Sequence, residues 1–508
     1  MKNTVSHDVE IADLKTQIVK KNHHIEVQDQ RIQLLEEMVK ALRYKQFAAS
    51  SEKIPVDQIS LFNEAEDETD NQPIANVDIV VPAHTRKKQK RASIPADIPR
   101  EEVVHDLADH EKVCPHDGTA LKCIGEESSE QLDIIPAKIT VLRHLRKKYA
   151  CPCCEQYLIT APKPAQPIEK SIAAPGLLAH VAVSKYCDAL PLYRQIAMFR
   201  RIGVELDRTT LGNWMIKMGR LVQPLINRLQ DVATEQNILH MDETPLQVLN
   251  EPGKTAQSKS YMWVLATAQA SVPVVLYHYS ASRSGDTPRH LLSGFSGALM
   301  TDGYEGYHAV CNDNQLARLG CWAHARRKFV DAQRQQPKGK SGKADVALSF
   351  IRKLYAAEKI SKDKSLDERH EIRQAQSKPI IEKLRQWLEK TRANTPPKTT
   401  LGKALIYLHN QWPRLILYLE DGCWPIDNNR VENSIRPFVI GRKNWLFANS
   451  QAGARASANL YSIIETAKAN RLEPYTYLKQ LFTLLPQAES LEAIDALLPW
   501  SVLLPKRL

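Results

Sequence analysis

The sequence predicts a multidomain α+β protein, and three observations lead to this fold class. The chain has 508 residues, and at roughly 100–200 residues per domain this length allows about three to five domains. A heptad repeat opens the chain, a helical pattern returns near residue 172, and short apolar runs typical of strands follow from about residue 236. We therefore expect separate helical and mixed α/β parts along the chain.

The composition excludes several classes of protein. Apolar residues make up 43% of the chain and charged residues 25%, as in ordinary soluble globular proteins. No apolar window is long enough to span a bilayer, and the N-terminus lacks the apolar segment of a signal peptide. Nine cysteines, three of them crowded at 151–154, indicate a reducing cytosol and metal binding. The net charge of +11 favours a polyanionic partner.

Residues 1–48 are predicted to form a coiled-coil, leucine-zipper-like helix. Mostly apolar residues recur at alternating three- and four-residue steps, which is the 3.5-residue period of a coiled-coil seam. The seam positions are Ile11, Leu14, Ile18, Lys21, Ile25, Gln28, Ile32, Leu35, Val39 and Leu42. We expect self-association through this seam, in which the polar Lys21 and Gln28 would restrict register and oligomer number. A single amphipathic helix packed on its own domain is the alternative.

Residues 49–100 are predicted to be a linker. An acidic run at 64–70 gives way to a basic run at 86–91, with prolines interspersed. Little in this segment could bury a core, so extended or disordered chain is expected. The basic run is either a solvated segment or a contact to a phosphate backbone.

Residues 101–165 resemble a zinc ribbon in their cysteine and histidine spacing. A knuckle at 114–118 and a C-x2-C pair at 151–154 flank a β-like stretch at 138–145. Two such knuckles joined by a hairpin can close a tetrahedral zinc site with thiolates and one further ligand. The candidate ligands are Cys114, Cys151 and Cys154, with His116 or Asp117 as the fourth. Buried thiols without a metal are the alternative.

Residues 170–230 predict a helix-turn-helix. Amphipathic stretches at 176–186, 192–202 and 210–221 are separated by short turns, and Asp207 or Thr209 can cap the third. Any helical bundle contains such turns, so basic charge supplies the additional argument for DNA binding. The candidate DNA contacts here are Arg194, Arg200, Arg201, Arg208, Lys217 and Arg220.

Two aspartates follow apolar runs that read as strands. Asp242 ends one run, two further strands are expected at 261–267 and 272–279, and Asp302 ends another just before a glycine. Strand ends are where α/β sheets gather catalytic groups, and carboxylates bind Mg²⁺. A lone aspartate in such a place is usually a turn former, but the paired occurrence favours a site. Strand alternation places Glu243 on the opposite face from Asp242.

A third carboxylate is needed to hold two metal ions, and Glu432 is the candidate. It lies in the first turns of a predicted helix that Asp427 or Asn428 can cap. An i,i+4 ion pair with Arg436 is the alternative role for this glutamate. A basic and aromatic segment follows, suited to contacts with a DNA backbone and a base. Its candidate DNA contacts, together with the helix before it, are Arg436, Arg442, Lys443 and Trp445.

Taken together, these motifs resemble a known family over essentially the whole chain. The matching stretches lie at 42–47, 51–53, 129–133, 148–151, 191–195, 240–245, 301–304, 320–329 and 427–445. The chain is similar to the large transposase of the insertion-sequence-66 family of bacterial mobile elements. The resemblance implies an RNase H-like α/β catalytic domain at 231–470, with a helical insertion at about 330–420 and a C-terminal element at 471–508. It places the catalytic DDE triad on Asp242, Asp302 and Glu432.

The resemblance also implies cofactors, partners and a location. Two Mg²⁺ or Mn²⁺ ions would bind the triad, and a structural Zn²⁺ would bind the small module, where Asp117 stands at a position at which many relatives carry cysteine. Double-stranded DNA, as terminal inverted repeats and as target, is the expected partner, with helper proteins of the same element as further candidates. The bacterial cytoplasm, in association with the nucleoid, is the expected location. An inactive element-derived DNA-binding regulator and an RNase H-like nuclease are the alternative functions.

Cys321 and His324 match a C-x2-H signature that follows the second aspartate in several DDE families. The functional interpretation is an accessory pair that shapes the active site or guides DNA. Two residues alone lack the further ligands that a zinc site needs. A packed cysteine and histidine without a function are the alternative.

Overall fold

The structure is a computed structural model that describes twelve positions between 17 and 35, residues 139–150, 158–268, 272–336 and 341–502, and residue 504. The chain divides into two compact units, Pro73–Lys147 and a larger unit made of Met1–Gln72 with Lys148–Leu508. The linker at 49–100 and the zinc candidates Cys114, His116, Asp117, Cys151 and Cys154 lie outside the described residues.

The described positions near the N-terminus are helical, as the heptad predicts. The seam residues Ile18, Ile25, Ile32 and Leu35 are each more than half exposed. Exposed apolar side chains at heptad spacing are what an unpaired coiled-coil strand presents to solvent. Coiled-coil pairing itself stays a prediction.

The β-like stretch predicted at 138–145 is not a strand where the structure describes it. Residues 139–147 have no regular secondary structure and are exposed. Strand β1 begins later, at Lys148–Ala150, and pairs in antiparallel fashion with β2, Leu158–Thr160. Alternating apolar residues between 139 and 145 suggested a strand, but a strand also needs a hydrogen-bonded neighbour.

Three helices follow where the sequence predicts them, and a fourth helix that it did not predict comes directly after them. They are α1 (Pro175–Tyr186), α2 (Leu192–Arg201), α3 (Arg208–Leu221) and α4 (Gln223–Thr234). The cap of α3 is Asp207, whose Oδ1 accepts the Thr210 N–H at 2.7 Å. Gly203, with φ of +80°, makes the turn after α2. Trp214, Met215 and Met218 bury one face of α3 and leave its opposite face to solvent.

A mixed sheet forms the centre of the larger unit. Its strands are β3 (Ile238–Asn250), β4 (Lys259–Thr267), β5 (Val275–Ser280), β6 (Ala298–Thr301) and β7 (Ala317–Gly320). The spatial order is β5-β4-β3-β6-β7: the first three strands in the sequence are antiparallel, and β6 and β7 continue parallel to β3. Short helices α5 (Asp286–Leu291) and α6 (His308–Asp313) connect the later strands.

The segment predicted as a helical insertion contains helices throughout its described part. They are α7 (Trp322–Gln333), α8 (Lys343–Ser361), α9 (Leu366–Ile372), α10 (Lys378–Ala393) and α11 (Thr400–Leu415), with a π-helical turn at Arg373–Ser377. Their apolar faces share a core of their own that includes Trp322, Phe329, Leu354, Leu384 and Leu405. This core is separate from the cluster that contains most of the sheet. The apolar faces of these amphipathic helices are therefore buried against one another.

The C-terminal part closes the sheet. Helix α12 (Asn429–Trp445) leads to β8 (Ala448–Ser450), which pairs with β3, and then to α13 (Gln451–Ala469), α14 (Pro474–Leu484) and α15 (Leu491–Asp495). Helix α13 covers the outer edge of β5: Ser462 Oγ accepts the Tyr277 N–H at 2.7 Å and Thr466 Oγ1 accepts the Val275 N–H at 3.0 Å. Backbone N–H groups of β5 that have no neighbouring strand on this side thereby find hydrogen-bond acceptors.

None of the helices in the described part of the chain is long and apolar enough to cross a membrane.

The backbone leading into β6 requires glycine. Gly297 has φ of +138°, and a Cβ atom there would overlap the carbonyl oxygen of Asn237. We expect Gly297→Ala to lower the free energy of unfolding by about 3 kcal/mol or more, measured by urea denaturation. Gly294→Ala is the matched control, because Gly294 has φ of +78° with open space around it. It should cost only about 1 kcal/mol, and equal losses at the two glycines would contradict the overlap argument.

Candidate active site

Asp242 lies inside β3, and not at its end as the sequence predicted, whereas Asp302 directly follows the parallel strand β6. In β3 and β6, Leu239 pairs with Leu299 and His240 with Met300. Continuing this register by two residues places Asp242 opposite Asp302, and neighbouring strands are about 4.8 Å apart. Both side chains then point to the same face of the sheet. The sequence pattern of two strands that each deliver an aspartate thus produces one shared location.

The two carboxylates are held by local backbone donors. Asp242 Oδ1 accepts the N–H of Glu243, and Asp302 Oδ1 accepts the N–H of Tyr304, both at 2.8 Å. Burial raises the pKa of Asp242 well above its usual range, and repulsion from Glu243, Asp302 and Glu432 raises it further. Such a concentration of negative charge is what a bound cation would relieve.

Glu432 joins this group from the first turn of α12. It is 3% exposed, and Arg327 Nη2 of α7 donates to its Oε2 at 3.0 Å. His324 Nδ1 lies 3.4 Å from the other oxygen, Oε1. Burial lowers the pKa of His324 despite the attraction of Glu432, so the ring is neutral at pH 7. The Glu432 carboxylate therefore contacts α7, a helix whose apolar face belongs to the insertion core.

Asn428, the residue before α12, fixes where Glu432 stands. Its side chain is fully buried and bridges to β3: Oδ1 accepts from His240 Nδ1 at 2.9 Å, and Nδ2 donates to the Met241 carbonyl at 3.1 Å. Its backbone N–H donates to Cys321 Sγ at 3.2 Å. Burial lowers the pKa of His240 to about 4, which keeps the ring neutral. One asparagine thus joins α12 to the strand that carries Asp242.

Asp427 contributes a second tie at the same junction. Its Oδ2 accepts from the Tyr355 hydroxyl at 2.7 Å and from Asn429 Nδ2 at 2.9 Å. Tyr355 belongs to α8, so this contact links the start of α12 to the helical insertion. A sequence run of one aspartate and two asparagines therefore acts mainly through tertiary contacts rather than as a simple helix cap.

Strand alternation predicts that Glu243 faces away from Asp242, yet its charge helps to raise the pKa of Asp242. Glu243 Oε1 accepts from Arg283 Nε at 2.6 Å, and its Oε2 accepts from the Tyr307 hydroxyl at 2.6 Å. The guanidinium of Arg283 also lies 3.8 Å from the centre of the Tyr304 ring. Glu243 is therefore a buried ion-paired residue whose replacement has a structural cost.

Cys321 and His324 converge on Glu432. Cys321 caps α7, and one ligand atom from each of the three residues lies within 4.8 Å of the others. Burial raises the pKa of the Cys321 thiol well above its usual range, with repulsion from Glu432 and Asp427 adding to it. The sequence identified the C-x2-H pair but could not supply its third neighbour, which is 108 residues after His324 in the chain.

The candidate DNA contacts fall into two groups. Arg194, Arg200, Arg201, Arg208, Lys217, Arg220 and Lys443 are exposed, and Arg436 is half-buried. Arg442 has a different role, because it donates to Thr244 Oγ1 at 3.0 Å and to the Pro245 carbonyl, which joins α12 to β3. Trp445 packs edge-on against Phe438, with ring centres 5.5 Å apart, and lies beside Lys185. The basic segment after Glu432 therefore serves the fold as well as the surface.

Arg327 is a site residue that the sequence reasoning missed. It lies three residues after His324, within the stretch 320–329 that resembles the insertion-sequence-66 family. An arginine one helical turn from a candidate ligand is a usable signal, since i and i+3 side chains share a helix face. Nothing local in the sequence indicates that its partner would be Glu432.

Four models of known protein families match this chain. The transposase IS66 family matches residues 170–456, and the zinc-finger binding domain of transposase IS66 matches residues 111–155. The IS66 C-terminal element matches 462–500, and a fourth model, transposase C of IS166 homeodomain, matches 34–103. These four matches define the class of protein as a transposase of an insertion sequence.

Similar chains occur in Sinorhizobium fredii strain NGR234. The uncharacterized protein y4jD is 33% identical over 420 residues, which cover 80% of this chain and 81% of that protein. The uncharacterized protein y4qI is 35% identical over 412 residues, covering 79% and 74%. This chain belongs to the IS66 family of transposases.

Removing the Asn428 side chain should weaken the whole α12 junction. Asn428→Ala leaves His240 and the Met241 carbonyl without their buried partner, so we expect a loss of about 3 kcal/mol in the free energy of unfolding. Lys443→Ala, an exposed position on the same helix, is the control and should change it by less than about 0.5 kcal/mol. Chemical denaturation measures both, and similar losses would show that the tie is unimportant.

Proposed function

We propose that this transposase cleaves the DNA ends of its element and joins the freed 3′-OH to target DNA by two-metal phosphoryl transfer. The observation that carries the proposal is the convergence of Asp242, Asp302 and Glu432, expressed in the raised pKa of Asp242. The sheet order, with three antiparallel strands and then two parallel ones, supports an RNase H-like core. The interior of β3, the residue after β6 and the first turn of α12 supply the three carboxylates.

The donor set fits Mg²⁺ or Mn²⁺. Three carboxylates offer hard oxygen ligands, and two ions about 3.5–4 Å apart can stabilise both the attacking and the leaving oxygen of an in-line displacement. Asp242 and Asp302 would hold the ions on the sheet, and Glu432 would complete the site from α12. Arg283 and Tyr307 bind both carboxylate oxygens of Glu243, so this residue is not proposed as a metal ligand. The reaction requires no covalent enzyme intermediate.

DNA recognition is proposed for the helix-turn-helix formed by α2 and α3. The exposed face of α3 carries Arg208, Thr209, Asn213, Lys217 and Arg220, while its other face is buried. Gly219 packs against Ala456 of α13, which anchors α3 to the catalytic unit. A polar, basic helix face on a firm support suits insertion into the major groove of a terminal inverted repeat. Residues 111–155 would add a zinc-stabilised contact.

Charge-removing substitutions test the catalytic proposal. Asp242→Asn, Asp302→Asn and Glu432→Gln should each lower Mg²⁺-dependent cleavage of terminal-repeat DNA by several orders of magnitude, because metal binding supplies most of the barrier reduction. DNA binding, measured by gel shift, should persist. Glu305→Gln is the matched control, since the Glu305 side chain is 73% exposed and lies near Asp302 in the sequence.

Glu243→Gln should lower thermal stability and yet cleave far better than Asp242→Asn. Equal losses of cleavage at Asp242 and Glu243, or normal cleavage by Glu432→Gln, would mean that the carboxylates are wrongly assigned. A wild-type chain that binds the repeats without cleaving them would favour the regulator. Preference for an RNA–DNA hybrid would favour the nuclease.

Self-association through the N-terminal helix is the second part of the proposal. Replacing Ile25 and Ile32 by lysine puts two charges into the apolar seam, which should abolish assembly of a complex containing two DNA ends. Val27→Lys is the control, because Val27 is 48% exposed but lies off the seam. Light scattering on the protein and native gels with two labelled ends measure the effect. Intact two-end complexes in the seam variant would refute the zipper.

The zinc module gives the third part. Cys154→Ser should lower the zinc content of the purified chain by about one equivalent and weaken DNA binding, since structural zinc contributes directly to folding. Elemental analysis measures the metal, and a gel shift measures the binding. Unchanged zinc content in this variant would show that Cys154 is not a ligand.

A further inference from the structure

Three potential metal-ligand atoms lie close together between the start of α7 and the first turn of α12. Cys321, His324 and Glu432 each contribute one atom, and these atoms lie within 4.8 Å of one another. Cys321 is 1% exposed, Glu432 3%, and the His324 side chain 21%. The three ligand atoms are therefore enclosed, and His324 is the residue of the three whose side chain is partly open to solvent.

Two of these atoms are buried without hydrogen-bond partners among the described residues. They are His324 Nδ1 and Glu432 Oε1. Buried polar atoms are nearly always satisfied, so an unpartnered pair calls for an explanation such as an ion. The two atoms are 3.4 Å apart. Two ligands at about 2.0–2.1 Å from a tetrahedral zinc ion are separated by roughly 3.4 Å.

The other atoms of the three residues are already positioned. Arg327 occupies Glu432 Oε2, which leaves Oε1 as the oxygen that faces His324. Asn428 donates its backbone N–H to Cys321 Sγ, a bond that orients the sulfur and suits a thiolate. Sulfur, imidazole nitrogen and one carboxylate oxygen form a donor set for Zn²⁺, whereas Mg²⁺ takes oxygen ligands.

We propose that Cys321, His324 and Glu432 bind one Zn²⁺ ion, in a site distinct from the module at 111–155. Three protein ligands leave the fourth tetrahedral position for water. The ion would fasten the start of α7 to α12. It would also take the Oε1 atom of Glu432, so that Zn²⁺ and the proposed catalytic ions compete for one carboxylate. The proposal rests on the geometry of the three residues and not on the catalytic assignment.

Cobalt substitution tests this site in the full chain. Co²⁺ bound tetrahedrally with a thiolate has a visible spectrum and a sulfur-to-cobalt charge-transfer band. After metal removal, Cys321→Ala should bind one equivalent of Co²⁺ fewer than wild type, and Cys154→Ser should keep the charge-transfer band of the new site. Cys311→Ala is the matched control, because Cys311 is also buried and should take up as much Co²⁺ as wild type.

His324→Gln provides a second variant at a less buried position. It should weaken the affinity of this site for Co²⁺ at least tenfold, and circular dichroism checks that each variant is folded. If Cys321→Ala does not fold, His324→Gln alone decides. Unchanged Co²⁺ uptake by folded Cys321→Ala or by His324→Gln would overturn the proposal. Normal Mg²⁺-dependent cleavage with no cobalt at this site overturns only the zinc site. Cobalt binding at this site, combined with no cleavage by the cobalt-free chain in Mg²⁺, overturns only the transposition chemistry.

Discussion

The hydrogen bonds of Asn428 join parts of the chain that are nearly 190 residues apart. His240 and Met241 belong to the central strand β3, and Asn428 ends the connection from the helical insertion to α12. With the Asn428 backbone bound to Cys321 and the Asp427 side chain bound to Tyr355, three separate elements meet at one point. Glu432 lies one helical turn later, so the contacts that fix the start of α12 also fix the position of Glu432. The candidate site depends on this buried polar network, which is rigid because its hydrogen bonds are made in a low-dielectric interior.

A second constraint is electrostatic. Asp242, Glu243, Asp302 and Glu432 concentrate negative charge, and the raised pKa of Asp242 records their repulsion. Arg283 neutralises Glu243 on one side, and Arg327 neutralises Glu432 on the other. The two aspartates on the sheet are stabilised mainly by backbone donors. Stability is thus lowered at a place where a bound cation can restore it, a common arrangement in sites that bind metal ions.

Much of the architecture follows from local patterns in the sequence. The strands that carry or precede Asp242 and Asp302, the helices at 175–221 and the helical run after residue 322 all follow from apolar periodicity, and family matches support the transposase assignment. The expectation that a strand ends at Asp242 was wrong, because β3 continues to Asn250. Three contacts were not predictable from such local patterns. They are the hydrogen bonds of Arg442 to β3, the ion pair of Arg327 with Glu432, and the hydrogen bonds of Asn428 to β3. Each depends on which distant element packs against a given residue, and a single sequence contains no such pairing. The strand expected near 139–145 failed for the same reason, because a strand requires a neighbour.

The covering of β5 by α13 has a consequence for assembly. Transposition brings at least two catalytic domains and several DNA segments into a small volume, where an open strand would be a template for intermolecular β-pairing. Ser462 and Thr466 occupy the backbone donors of β5 with hydroxyl groups of the same chain. Two copies can therefore be crowded together on DNA without their sheets merging. In the proposed complex of two copies, the DNA and the N-terminal helices would set the geometry.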